Sequence, residues 1–259
     1  FGIAAFITLG LFYRFETSYE SWSAERPRIH LVQMGIHLPT GGDVSQKTAG
    51  GLLEDIRTSW PQVEGTRDLA DWFIVHRGAE VVAENMEFVD PNFLTFFKVP
   101  TLRGDAATAL DDPSQIVVSA AIARKYFGTL DAVGRTLTLG NAEGIKTYTV
   151  SAVIADLPKN SDMRMDMLRR LTPQVAAGYG PAWGALPVPM LKTYLKFDSP
   201  AEAKAFSAQL PAFVDRLIGV NTAQGIMVSK QTYLSLLPIG DIHLSNPKLK
   251  AAVVALGVV

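Results

Sequence analysis

Uncharged apolar residues at the two ends constrain this chain more than any other feature. Residues 1–13 (FGIAAFITLGLFY) and 251–259 (AAVVALGVV) contain no charged side chain. A helix needs about 20 apolar residues to cross a bilayer, so each run is too short to span one. We expect the runs to be the end of one membrane helix and the start of another, with a loop domain between them. The alternatives are the apolar part of a signal peptide for the first run and a buried strand for the second.

The composition excludes several classes of protein. The chain has 259 residues, 48% of them hydrophobic, which is enough to build a core. Its 24 Lys and Arg nearly balance 25 Asp and Glu, so there is no basic excess with which to bind nucleic acid. It contains no cysteine, which excludes disulfide scaffolds and thiol nucleophiles.

Strand and helix patterns both occur between the apolar ends. The predicted strands are 28–38, a hairpin over 66–89, 116–118, 136–139, 147–154, 163–171, 190–197 and 228–236; the predicted helices are 49–60, 93–97, 120–127 and 200–217. Ser119 and Ser199 have the positions of helix N-caps. Four prolines and three glycines in residues 173–189 predict no regular element there. The pattern predicts an α+β body with an inserted β-rich subdomain.

Few residues have a spacing suited to chemistry. The histidines are His30, His37, His76 and His243, and none has a second histidine at a metal-binding spacing. Asp111 and Asp112 precede a proline, which favours a turn. Asp162 and Asp166 lie four residues apart, so they could be an acid–base pair, although the edge of a strand is the better interpretation.

The remaining motifs indicate no enzyme. Phe88, Phe93, Phe96 and Phe97 could form a ligand platform, but their spacing favours core packing. There is no phosphate-binding loop that could hold ATP. The sequence therefore predicts no catalytic residue, no cofactor-binding residue and no metal ligand.

Several stretches resemble the periplasmic core domain of MacB-like (FtsX-like) ABC transporter permeases. They are 88–105 (FVDPNFLTFFKVPTLRGD), 109–113 (ALDDP), 116–119 (IVVS), 123–128 (ARKYFG), 134–139 (GRTLTL), 148–153 (YTVSAV), 156–161 (DLPKNS), 233–234 (YL) and 241–244 (DIHL). Ala152 departs from the family, which commonly has glycine at that position, and a strand accepts either residue. The motifs occur in the family's order over most of the chain.

The resemblance implies a domain organisation. Residues 1–27 would be the end of the first membrane helix and a stalk, and 247–259 the start of the second membrane helix. Residues 28–89 and 162–246 would form a porter-like α/β subdomain. Residues 90–161 would form the inserted, β-rich, sabre-like subdomain.

The resemblance also implies a function without catalysis. The chain would be the extracytoplasmic domain of a permease in the inner (cytoplasmic) membrane, exposed in the periplasm. It would couple ATP hydrolysis by a separate cytoplasmic ABC ATPase to export or to mechanical work on periplasmic substrates. Its partners would be that ATPase, a second permease subunit (identical or a sister) and a periplasmic adaptor protein, with no nucleic acid and no cofactor. The alternative from another class is a secreted or membrane-tethered ligand-binding protein.

Overall fold

A computed structural model describes residues 2–37, 43–77, 80–141, 144–178, 190–218, 220–221 and 226–257. The helices are α1 (Gly2–Thr17), α2 (Leu52–Ser59), α3 (Phe93–Phe97), α4 (Ala120–Phe127), α5 (Pro173–Gly178), α6 (Pro200–Ser207), α7 (Leu210–Ile218) and α8 (Pro247–Gly257). The strands are β1 (Ile29–Ile36), β2 (Asp43–Ser45), β3 (Glu64–Arg77), β4 (Glu80–Val89), β5 (Thr101–Arg103), β6 (Gln115–Ser119), β7 (Thr136–Asn141), β8 (Gly144–Ile154), β9 (Met167–Arg170), β10 (Lys192–Lys196), β11 (Val220–Asn221), β12 (Ile226–Met227) and β13 (Thr232–Pro238). Single 3₁₀ turns lie at Val228–Lys230, Ile239–Asp241 and His243–Ser245.

Most of the strands belong to one mixed sheet with the order β13-β1-β10-β3-β4-β9-β6-β8-β5. The pairs β4–β9 and β6–β8 are parallel, and the other neighbours in this order are antiparallel. The long hairpin β3–β4 pairs from Asp68 opposite Val89 to Arg77 opposite Glu80, as predicted.

The C-terminal half of β3 closes six strands into a ring. Strand β7 pairs with β8 along its whole length and also with β3, where Ile74, Val75 and His76 lie opposite Gly140, Leu139 and Thr138. The closed path is therefore β3-β4-β9-β6-β8-β7 and back to β3. Buried side chains of these strands fill the ring: Leu69, Phe73, Val75, Met86, Phe88, Ile116, Val118, Leu137, Leu139, Tyr148, Val150 and Met167. Closure leaves the ring strands with few unpaired edges.

The near half of the sheet, β13-β1-β10-β3, carries helices on one face. Helices α2, α6 and α7 bury their apolar stripes there against side chains such as Val32 of β1 and Leu195 of β10. Trp60 lies between Phe206 of α6 and Phe213 of α7, with ring centroids 4.7 and 4.9 Å away. This layer forms an α/β body beside the ring.

A shared core joins the body to the ring. The α3 residues Phe93, Phe96 and Phe97 are completely buried. They pack in one cluster with body residues such as Tyr194 of β10 and with ring residues such as Val117 of β6. The prediction that these phenylalanines pack in the core is confirmed.

Local capping signals account for two helix starts. The Ser119 hydroxyl accepts the Ile122 N–H at 3.2 Å, and α4 ends at Gly128, whose φ of 71° suits glycine. The Ser199 hydroxyl accepts the Glu202 N–H at 3.2 Å, and Pro200 follows at the first helical position. Both predicted caps are confirmed.

Three expectations for single elements are wrong. The sequence predicts no regular element in residues 173–189, but residues 173–178 form α5. A helix can begin at Pro173 because the first residue of a helix needs no hydrogen-bond donor. The remaining residues, 179–189, lie outside the described residues. The helix predicted over 200–217, with a bend at Pro211, is two separate helices, and Pro211 lies in the first turn of the second one. The strand predicted from residue 163 begins only at Met167, so Asp162 does not lie at a strand edge.

The α+β class is confirmed, and the subdomain boundaries stay a prediction. The ring takes strands from both sides of the predicted boundaries at 89 and 161, since β3 pairs with β7 and β9 pairs with β6. Within the described ranges, no helix combines the length and the hydropathy needed to cross a bilayer.

Candidate functional site

Three segments that are distant in sequence meet at the end of α1. They are the end of α1 and the residues after it (16–22), the segment between β8 and β9 (160–163), and the turns before α8 (240–243). We call this meeting point the junction. It lies where both apolar helices join the α+β domain, and α1 and α8 pack against each other.

His243 links all three segments. Its Nε2 lies 2.8 Å from a carboxylate oxygen of Glu16, and its Nδ1 lies 3.2 Å from one of Asp162. Its ring stacks on Tyr19, with centroids 3.4 Å apart and planes at 8°. One imidazole therefore contacts the last turn of α1, the segment after it and the β8–β9 connection.

Tyr19 is buried under this stack, with 9% of its surface exposed. Burial raises the pKa of its phenol, and the neighbouring charges of Glu16, Asp162 and Glu20 raise it further. The phenol is therefore neutral across the physiological range. Its role at the junction is packing, since it presents a flat apolar face to the imidazole.

Glu20 is the polar centre of the junction. It is completely buried and has a left-handed backbone with a φ of 57°. One carboxylate oxygen accepts hydrogen bonds from the Asp162 N–H at 2.6 Å and, at 3.4 Å, from the Met163 N–H. The other accepts from the Ser161 hydroxyl at 2.8 Å and from the Trp22 indole at 2.5 Å. A buried carboxylate that accepts several hydrogen bonds fixes the position of the groups around it.

Asn160 and Arg26 add hydrogen bonds with backbone groups of the junction segments. The Asn160 amide donates to the Ser18 carbonyl at 3.0 Å, and the Asn160 carbonyl accepts the Glu20 N–H at 3.1 Å. The Arg26 guanidinium donates to the carbonyls of Thr17 and Gly240 at 3.4 and 3.5 Å. A Cβ on Gly240 would lie 2.4 Å from this guanidinium, so a larger residue there would displace the Arg26 side chain.

The residues after the junction connect it to the shared core. The Ser23 hydroxyl donates to the Phe97 carbonyl at 2.8 Å. Glu25 is buried and forms ion pairs with Lys98, with Arg28 at 2.9 Å and with Lys196 at 3.7 Å. The hydrogen bond from Lys98 lowers the pKa of the Glu25 carboxyl, with smaller contributions from Lys196 and Arg28. The segment after α1 is therefore tied to the domain by charge as well as by packing.

Helix α1 itself presents apolar side chains to its surroundings. Ile3, Phe6 and Leu11 each expose more than half of their surface, as does Ile7. These side chains point in several directions around the helix, so α1 has no polar face. A helix of this kind belongs in an apolar environment.

The histidines and paired acids named from sequence are scattered. His30 in β1 lies beside the Arg28 carbonyl, and burial lowers its pKa. His37 stacks on Tyr233, and His76 lies in β3 next to Gly140. The Asp112 carboxylate accepts the Ser114 N–H at 2.8 Å, so this acidic pair lies in a turn as predicted.

The pair Asp162 and Asp166 does not act as a unit. Asp162 contacts His243 at the junction, while the carbonyl of Asp166 accepts the Ser119 N–H at 2.8 Å. A cavity of about 380 Å³ beside the junction is lined by Asp166, Asp156 and Ser161 among others. In the part of the chain that the structure describes, no three His, Asp or Glu residues are placed to hold a metal ion.

The residues that form the junction were mostly missed by sequence reasoning. No local pattern brings Asp162 and His243 together, and none singles out Glu16 or Glu20. The one signal in the sequence is that two of the quoted motifs, 156–161 and 241–244, lie shortly after predicted strands and outside any predicted helix or strand. The hydrogen bonds and ring contacts of the junction hold its three segments in fixed positions relative to one another.

Comparisons with known proteins agree with this architecture. The sequence profile of the family described as MacB-like periplasmic core domain matches residues 1–213. No curated protein matches the chain.

Three solved structures are similar to the chain. A domain of a protein described as a permease from Porphyromonas gingivalis has a TM-score of 0.66 at 21% identity, over 83% of this chain and 91% of that one. The periplasmic region of MacB from Actinobacillus actinomycetemcomitans has a TM-score of 0.49 at 9% identity, over 83% and 91%. The extracellular domain of the ABC-type transporter YknZ from Gram-positive bacteria has 0.47 at 11%, over 80% and 99%. With most of its length matched by the family profile, the chain belongs to the MacB-like periplasmic core domain family.

Proposed function

We propose that the chain is the extracytoplasmic domain of an ABC transporter permease and that it transmits motion without catalysing a reaction. In this role, α1 and α8 lie in or against the inner membrane and the α+β domain lies in the periplasm. A separate cytoplasmic ATPase supplies the energy, and a second permease subunit and a periplasmic adaptor are the expected partners. The family membership supports this proposal.

The observation that carries the mechanical part is the junction. A displacement of α1 reaches the domain through Glu16, Tyr19 and Glu20, which contact the other two segments. The Glu20 carboxylate is buried and hydrogen-bonded to two of the segments, so α1 cannot tilt without breaking charge-assisted bonds. We infer that the junction is a rigid joint, so the domain follows α1 as a lever arm.

Exposed apolar surface supports the membrane placement. Phe6 and Ile3 on α1 are 68% and 79% exposed, and Val254 on α8 is 54% exposed. Leaving such side chains in water costs about 25 cal/mol for each Å² of apolar surface. A lipid environment removes this cost, and the charged residues that follow α1 belong at its polar boundary.

Hydrogen–deuterium exchange can test the proposal on the permease assembled with its ATPase in a bilayer. ATP should change the exchange rates of amides at the surface of the α+β domain, because the domain follows α1 and its contacts with the expected partners change. The doubly substituted variant Glu20→Gln/His243→Ala should hydrolyse ATP but lose that change. The isolated chain with ATP is the control and should show no change. An ATP effect on the isolated chain, or an unaltered effect in the variant, would contradict the proposal.

A further inference from the structure

A cavity of about 550 Å³ lies at one mouth of the six-stranded ring. Its inner wall consists of Phe88 of β4, Tyr148 of β8 and Arg169 of β9, and its rim includes Lys146 and Arg170. The volume is within the range of about 300–1,000 Å³ that small-molecule sites occupy, and barrel mouths are frequent ligand sites.

Aromatic rings hold the guanidinium of Arg169 in place. It lies over the Tyr148 ring at 3.9 Å from the centroid, with the centroids of Phe88 and Phe73 at 5.1 and 5.7 Å. Phe88 and Tyr148 are buried, so the three rings form a preformed wall around the planar cation. A guanidinium held between rings in this way presents its N–H groups in a fixed orientation.

The charge of the cavity has one sign. Three of its lining residues are cations (Lys146, Arg169 and Arg170), and none of its described lining residues is acidic. Arg170 is partly engaged, since it donates to the Asp111 carbonyl and lies near the Asp112 carboxylate. Lys146 is exposed on β8 and forms no ion pair within the described ranges. The described lining residues therefore carry more positive than negative charge, which favours anions over neutral ligands.

We propose that this mouth binds a small organic anion, with a carboxylate or phosphate group against Arg169 and Lys146 and an apolar body against Phe88, Tyr148 and Val175. The polar rim adds donors of the kind that orient such a group, including the hydroxyls of Ser114 and Thr172. The proposal is independent of ATP coupling, since none of the residues that line the cavity belongs to the junction.

Calorimetric titration of the purified chain in an uncharged detergent tests the proposal. The probe is 1-naphthyl phosphate, and inorganic phosphate and 1-naphthol are the two comparison ligands that carry only the charge or only the apolar body. We expect saturable binding of the probe, at least tenfold weaker binding of each comparison ligand, and affinity that falls as salt is added. Equal binding of 1-naphthol would overturn the proposal, because the cations would then contribute nothing.

Variants locate the site. Lys146→Glu alters an exposed side chain and should weaken probe binding about tenfold or more with an unchanged melting temperature. Arg169→Lys keeps the charge but loses the planar stack, and should also weaken binding. Lys204→Glu on α6 makes the same charge change far from the cavity and should have no effect. Unchanged affinity in Lys146→Glu would overturn the proposal, as would equal losses in Lys146→Glu and Lys204→Glu.

Discussion

The imidazole of His243 lies flat on the phenol of Tyr19, with ring centroids 3.4 Å apart, although the two residues belong to opposite ends of the chain. The same imidazole lies between Glu16 and Asp162. The contacts with Tyr19 and Glu16 join the end of the first apolar helix to the turn before the second, and the contact with Asp162 joins that turn to the β8–β9 connection. In the proposed function, the stack keeps the two helices and the domain in one orientation.

Replacing His243 should loosen the junction. His243→Ala removes the ring stack and two contacts to carboxylates, so we expect a loss of about 1–3 kcal/mol in unfolding free energy. His37→Ala is the matched control, because His37 also stacks on a tyrosine but is exposed and outside the junction. It should cost less than about 1 kcal/mol in the same denaturation experiment. Equal losses in the two variants would show that the junction contacts add nothing.

Glu20→Gln should destabilise the domain despite its small change in volume. The glutamine amide would place a donor against other donors, the Ser161 hydroxyl and Trp22 indole or the Asp162 and Met163 N–H groups. We expect a loss of about 2–4 kcal/mol, measured by chemical denaturation. A variant as stable as the parent would mean that the carboxylate is not needed as an anion.

Phe97→Ala should be among the most damaging substitutions in the core. Phe97 is fully buried, and its ring lies 4.8 Å from Phe93 and 5.1 Å from Phe96 and from Tyr194. The cavity left behind should cost about 3–5 kcal/mol of unfolding free energy. Leu102→Ala, at a leucine that is 38% exposed on β5, should change it by less than about 1 kcal/mol. A small loss at Phe97 would contradict its place in the shared core.

Glu87 should make stability depend on pH. Burial raises the pKa of its carboxyl well above the usual 4.5, and the charges of Asp68 and Asp166 raise it further, against Lys192 and Arg164. The folded state therefore keeps a proton that the unfolded state releases, so stability falls as the pH rises from about 4.5 through the raised pKa.

Melting curves between pH 5 and pH 9 would show this effect. Glu87→Gln mimics the protonated acid, so its melting temperature should fall less with rising pH than that of the parent. Asp43→Asn, at an exposed position of β2, should leave the parent's pH dependence unchanged. Parallel curves for the parent and Glu87→Gln would contradict the assignment.

The sequence predicts local structure here better than it predicts assembly. Ser119, Ser199 and the β3–β4 hairpin are encoded within a few residues, so their patterns are legible. Ring closure cannot be predicted in this way, because β7 pairs with residues 74–76 of β3, about sixty residues earlier in the chain. The junction is still less local, since His243 is 227 residues from Glu16 and 81 from Asp162. Such contacts depend on tertiary packing, which no local pattern contains.

Whether the junction is a rigid joint can be measured directly as a distance between α1 and the α+β domain. The chain has no cysteine, so spin labels can be attached at Thr8→Cys on α1 and Lys204→Cys on α6. Pulsed electron paramagnetic resonance would then give that distance in the permease–ATPase complex, with and without trapped ATP. The account predicts one narrow distribution that ATP does not shift, and a broad one in the Glu20→Gln/His243→Ala background. A distribution that shifts with ATP while the junction is intact would show a hinge and would contradict the account.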